Sequence, residues 1–219
     1  IGLAAAGMGS GTGGTYAGHS GVKAWVGVGS AEGLLSLRGG VPSAAGVGTV
    51  GPLCRSVAEA ARVLVGLGGN DPCDLTGGAL AGKRGLICKT AAVDDIEKQP
   101  ERAFSAAVDQ LAAAGAHIEE GEIPEVAGAL PLSGCLYPVE AYAQWKDTIE
   151  ARPELMYQDI LKRFRLGASF SGVDYVEAWN TLEALRAAYL KRTAGYDAVL
   201  LPAAPILPPT ADRLLTDHD

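Results

Sequence analysis

Residues 9–15 read Gly-Ser-Gly-Thr-Gly-Gly-Thr, and this run of glycines beside hydroxyls is the part of the 219-residue chain best suited to chemistry. Two chemistries use such a run. Gly9, Gly11 and Gly14 satisfy the G-x-G-x-x-G spacing that brings backbone amides to a dinucleotide pyrophosphate, and Glu32 stands about where that fold places its ribose-binding acid. The fingerprint also requires a hydrophobic strand before it and a helix after it. Residues 1–6 make a poor strand, and residues 15–21 contain two further glycines and no helical stripe. The second chemistry is acyl transfer. Gly13 and Gly14 would let backbone N–H groups converge on an anionic oxygen, with the Thr15 hydroxyl beside them, as in an oxyanion hole next to a nucleophile.

Other reactive types are scattered. His19 and Ser20 are adjacent, so on an extended chain they point to opposite faces, and no carboxylate completes a triad. His117 is expected to begin a strand and His218 lies in a charged tail, with no HExxH or carboxylate pair at ligand spacing, so no metal and no cofactor is expected. Asp94-Asp95 and Glu119-Glu120 read as solvated faces. Cys54, Cys73, Cys88 and Cys135 lack CxxC spacing and are expected as reduced thiols.

The elements that must position this chemistry follow from composition and period. Gly and Ala supply 30 and 37 residues, and 16 of the glycines fall in residues 1–53, where Lys23, Glu32 and Arg38 are the only formal charges. Such a charge-poor segment is expected to be nearly all buried, as a Gly-rich core. Ser56-x-x-Glu59 is a capping-box signature opening a helix over about 57–67, followed by a turn at Gly69-Asn70-Asp71-Pro72. Leu86-Ile87-Cys88, bounded by Gly85 and Lys89, suits a buried strand. A helix is expected from Pro100, with Phe104, Ala107, Val108, Leu111 and Ala112 as its stripe and Gly115 as its stop, then a strand over 116–123. Residues 138–194 carry apolar positions for three amphipathic helices, including Tyr142, Trp145, Ile160, Phe164, Trp179 and Tyr189, read as a helical cover or substrate-side cap. Tyr196 to Leu201 is a further strand, stopped by Pro202. Strand alternating with helix implies an α/β fold.

The 18 basic and 25 acidic residues give a net charge of −7, which leaves no footprint for nucleic acid or anionic lipid. No apolar stretch is long enough to span a bilayer and no leader pattern is present, so the expectation is a cytoplasmic protein with no membrane span.

Residues 9–36 align without a gap to the signature segment of the amidase-signature family, which usually reads G-T-D-T-G-G-S-x-R-x-P-A and then G-L-V-G-L-K-P-T-x-G. Thr49-Val50-Gly51-Pro52-Leu53-Cys54-Arg55-Ser56-Val57-Ala58-Glu59-Ala60-Ala61 resembles that family's T-V-G-P-L-x-R-S-V-x-D/E-A-A, with Asp71-Pro72 and Asp74 following, and Tyr196 to Pro205 resembles its Y/F-D-x-L-L-x-P-x-x-P. The resemblance implies a mixed β-sheet covered by α-helices, a single signature-like domain over 1–219 that is partial, and hydrolysis of a C–N amide bond in a small-molecule amide. It carries the nucleophile onto Thr15 and the oxyanion-hole amides onto Thr12, Gly13, Gly14 and Thr15. A homodimer is one expectation, because family members are often dimers.

The chain departs from the pattern at the site. Thr15 stands for the family's Ser, Gly11 for its Asp, Ala17 and His19 for Arg and Pro, and Gly29 and Ser30 for Lys and Pro. The family's Lys and cis-Ser would precede Ile1, and its last sheet segment would follow Asp219. These departures keep open a second reading, a non-catalytic or degenerate amidase-fold fragment acting as a scaffold or binding chain.

Overall fold

The structure is a computed structural model that describes residues 4, 6–11, 25–31, 33–41, 43–44, 46–68, 74–91 and 93–210. Their strands form two three-stranded sheets. In the first, β1 (Gly7–Gly11) and β2 (Val26–Gly27) flank β3 (Thr49–Cys54), all antiparallel, with Gly11 opposite Thr49 and Gly27 opposite Leu53. In the second, β4 (Arg84–Cys88) lies between β5 (His117–Gly121) and β6 (Ala198–Leu200), and both pairings are parallel.

The α/β expectation holds, and most elements lie where the sequence puts them. Helix α1 (Val57–Gly68) opens where the capping signature puts it: the Glu59 amide donates to Ser56 Oγ at 3.2 Å, while the Glu59 carboxylate accepts from the amide of Arg55, one residue before the cap, at 3.1 Å. Its inward face is pinned by Ala60, which is fully buried. Helix α2 (Lys98–Ala113) starts two residues before Pro100, which sits in the first turn where a missing N–H costs nothing, and Gly115 at φ +95° follows its end.

β4 begins at Arg84, so Gly85 belongs to the strand and does not bound it. The reason is a close approach: a Cβ at Gly85 would lie 2.9 Å from Ile118 Cδ1 and 3.1 Å from Leu200 Cδ1, side chains of the two flanking strands. The next three residues of this central strand are buried, the pattern expected of a parallel strand covered on both faces. Leu86 and Cys88 pack with Ile123, Val126, Tyr189 and Val199, which joins the sheet to α3 (Pro124–Ala129) and α6 (Gly172–Thr193).

The helical cover includes α4 (Ser133–Ala151), α5 (Gln158–Arg165) and α6. α4 begins five residues before Pro138, which is carried inside the helix. Ala141, Ile149, Leu161 and Phe164 form its core with Tyr137, Tyr142 and Trp145, and Tyr137 meets Phe164 edge to face at 6.0 Å. α6 has a complete capping box between Ser171 and Asp174.

One expectation is corrected. The described part of residues 1–53 is not nearly all buried: Met8 is 53% exposed, Leu34 56% and Val41 73%. A strand reading Gly-Met-Gly-Ser-Gly carries too little side-chain volume to cover its own sheet, so a low charge density here does not translate into burial. Among the described residues no helix is long and apolar enough to cross a membrane.

Candidate functional site

The candidate segment leaves β1 directly. Gly9, Ser10 and Gly11 are strand residues, and Gly11 is buried opposite Thr49 at the start of β3. Thr12, Gly13, Gly14 and Thr15 lie outside the described residues, as do Ala17, His19, Ser20, Lys23 and Glu32. The strand pairing bears on the dinucleotide spacing: that fingerprint uses its first glycine to turn from a parallel strand into a helix, whereas Gly9 and Gly11 pair in antiparallel register with Gly51 and Thr49.

The register of β1 on β3 is supported from the far side. Ser30, one of the two residues that replace Lys and Pro of the family pattern, is buried and donates from Oγ to the Val50 carbonyl at 2.8 Å, while the Val28 amide donates to the Pro52 carbonyl at 3.0 Å. Val50 in turn lies opposite Ser10. A small cavity of about 30 Å³, the space of roughly one water, is lined by Ser10, Val41, Ser43, Ala44, Thr49 and Val50 beside this pairing.

Helix α1 follows β3 directly. Arg55 and Glu59 form an ion pair at 2.8 Å, and the Arg55 side chain and amide hold the Glu59 carboxyl below its usual range. Cys54 is buried at the end of β3, and burial, then the nearby Glu59 carboxylate, pushes its thiol up. Cys54, Cys88 and Cys135 are free thiols, and Cys73 lies outside the described residues with Gly69 to Pro72. Asp74 accepts from the amide and hydroxyl of Thr76 at 2.8 and 2.7 Å, the side-chain turn geometry that accounts for an Asp at this landmark.

A link to the helical cover was not visible in the sequence. The Gly46 amide donates to Glu140 Oε2 of α4 at 2.6 Å, and the Tyr175 hydroxyl of α6 donates to Glu140 Oε1 at 3.0 Å. The signal that could have found it is a glutamate set among Leu136, Pro138 and Ala141 on the inward side of α4, where an acid requires partners. Asp197, within the third landmark, accepts from Lys83 Nζ and the Arg84 amide, both at 2.8 Å, while Tyr196 donates to Glu119 at 2.9 Å and lies under the Arg84 guanidinium.

Comparison with known proteins agrees with this arrangement. The family model described as Amidase matches residues 1–219. An amidase of Pseudomonas putida is 27% identical over 169 residues, covering 71% of this chain and 36% of the relative. A glutamyl-tRNA(Gln) amidotransferase subunit of Acidobacterium capsulatum is 25% identical over 241 residues, covering 93% of this chain and 50% of the relative. A solved amidase structure superposes with a TM-score of 0.85 at 26% identity, over 94% of this chain and 46% of that one. The chain thus spans half or less of the length of these proteins. With the full-length family match and the shared fold, this chain belongs to the Amidase family.

Proposed function

We propose that this chain carries the nucleophile and oxyanion segment of an amidase-type hydrolase that cleaves a C–N amide bond in a small-molecule amide by acyl transfer. Thr15 is the nucleophile, and the amides of Thr12, Gly13, Gly14 and Thr15 form the oxyanion hole. The observation that carries this reading is the Gly9 to Thr15 sequence, delivered from the buried end of β1 in a chain whose whole length matches the Amidase family.

The chemistry requires four things. A base must take the hydroxyl's proton as it attacks the amide carbonyl, converging amides must take up the charge on the carbonyl oxygen, the departing nitrogen must be protonated, and water must then cleave the acyl ester to release the acid and restore the hydroxyl. The glycines of the segment suit the second task, because a backbone without Cβ can approach an anionic oxygen closely. Threonine supplies the hydroxyl of the first, although its methyl crowds the attacking oxygen.

The test is hydrolysis of a panel of primary amides by the full-length protein, read as ammonia release. Thr15→Ala is expected to abolish turnover, with a loss of at least roughly 10³-fold in kcat/KM, and Thr15→Ser to retain or raise it. Undiminished turnover by Thr15→Ala overturns the assignment of the nucleophile. The second reading, a binding chain that keeps the fold without the chemistry, is favoured by buried Gly11 at the family's Asp position. Thr15-dependent labelling by an acylating or phosphonylating probe argues against it.

A further inference from the structure

We propose that Glu140 is a positioning residue for the reaction, through the segment that feeds β3; this inference rests on the amidase reading given above. Glu140 lies on α4, 94 residues from Gly46, and each of its carboxylate oxygens has a donor from a different part of the chain. Oε2 accepts from the Gly46 amide at 2.6 Å, a short, charge-assisted bond, and Oε1 accepts from the Tyr175 hydroxyl at 3.0 Å. Tyr175 is itself braced edge to face by Trp179 at 6.4 Å.

Residue 46 must be glycine for this bond to exist. A Cβ there would lie 2.5 Å from Glu140 Oε1 and 2.8 Å from Trp179 Cζ2. The carboxylate end could yield only by giving up its donors, and the indole is in contact with both the Tyr175 ring and the Arg186 guanidinium, 5.6 Å from its ring centre. Backbone and carboxylate are therefore packed together as a specific contact and not as a chance surface bond.

The consequence runs along the chain in a few residues. Gly46 is three residues before Thr49, the first residue of β3, and Ala44 on its other side is almost fully buried. Thr49 pairs with Gly11, the residue that immediately precedes Thr12. Fixing the Gly46 amide on α4 thus sets where β3 begins, and β3 sets where β1 ends. An error of about 1 Å in placing a nucleophile costs up to roughly 10²-fold in rate, so a tether on the segment that feeds the partner strand of β1 bears on the reaction. Glu140 acts through Gly46 and β3.

The experiment compares Glu140→Ala, Glu140→Gln and Tyr175→Phe in the full-length protein, reading amide turnover and hydrogen exchange of peptides from 43–54 and, as a control, from α2. Glu140→Ala is expected to raise exchange in 43–54 without changing α2, and to lower kcat by roughly tenfold or more with KM within about twofold. Glu140→Gln is expected to restore both, because its amide oxygen can accept from Gly46 and its amide nitrogen can donate to the tyrosine oxygen. Tyr175→Phe removes one donor only and is expected to shift both readouts in the same direction by less, which keeps the test open if Glu140→Ala does not fold. Unchanged exchange in 43–54, or raised exchange with unchanged kcat, overturns the proposal. An unsubstituted protein that hydrolyses no amide and takes no label at Thr15 overturns the amidase reading instead, a result separable from an active protein that is indifferent to Glu140.

Discussion

Asp197 and Arg84 are 113 residues apart in the chain, yet the Asp197 carboxylate caps the amide of Arg84, the first residue of the central parallel strand, at 2.8 Å. The same carboxylate holds Lys83 at 2.8 Å, and the Arg84 guanidinium reaches Glu119 on the opposite neighbour, β5, at 2.6 Å. One side of β4 is thus clamped to the approach to β6 and the other to β5, both at the end where the three parallel strands begin.

This clamp makes stability depend on pH in a defined direction. The Lys83 ammonium and then the Arg84 amide hold the Asp197 carboxyl below its usual range, and Arg84 followed by Tyr196 does the same to Glu119. A carboxyl depressed on folding contributes stability that is present above its unfolded pKa, about 4, and is lost as pH falls through the folded value. Asp197→Ala is expected to lower Tm at neutral pH, with the gap from the parent closing on acidification. Asp197→Asn keeps an acceptor for the Arg84 amide and is expected to cost less than Ala, since the half-exposed Lys83 pair itself contributes little. Equal Tm losses for Asn and Ala would show that the charge, and not the backbone cap, carries the effect.

Arg192 of α6 grips Glu125 of α3 with three hydrogen bonds of 2.8–3.1 Å, and the Glu125 side chain is only 10% exposed. Arg192 holds that carboxyl below its usual range. Arg192→Met keeps the aliphatic stem but leaves a nearly buried carboxylate without its cation, so the ionised form becomes the costly one. The Tm deficit of this variant is expected to be widest at neutral pH and to narrow as Glu125 protonates. A deficit that does not change between neutral and acid pH would contradict this account.

Gly85→Ala places its Cβ against the tips of Ile118 and Leu200, and the overpacking is expected to cost about 1–3 kcal/mol in urea unfolding. Ile118→Val removes the atom at 2.9 Å, so the double variant is expected to recover part of that loss, a coupling that independent sites would not show.

Ile123 is fully buried in the Leu86 and Cys88 cluster, and Ile123→Ala is expected to destabilise by about 2–5 kcal/mol in the same measurement. Leu201, 52% exposed beyond β6, provides the contrast: Leu201→Ala is expected to fall within about 0.5 kcal/mol of the parent.

How much of this was legible in the sequence differs by element. Ser56 and Glu59 announced α1 because a cap is a local arrangement of side chain and adjacent backbone, and the structure places the helix within a residue of the expected span. Leu86 to Cys88 announced a buried strand because a run of large apolar residues between polar ones has few other uses. Gly85 misled, because a glycine that ends a strand and one that lets neighbouring side chains close over it look the same until the neighbours are known. The six residues of α3 were missed, because a segment shorter than two turns carries too few periodic positions to register.

The sequence by itself determined the class of fold, the family resemblance and the candidate segment at Thr12, Gly13, Gly14 and Thr15, since all three rest on residue types at fixed short spacings. The tertiary structure alone decided which distant groups hold the two sheets and the helical cover in register. Ser30 on the Val50 carbonyl, Glu140 on the Gly46 amide and Asp197 on the Arg84 amide join positions from 20 to 113 residues apart. No local pattern encodes such pairs, because their partners are backbone groups identical at every residue, and only the folded path of the chain selects which of them comes within a hydrogen bond's reach.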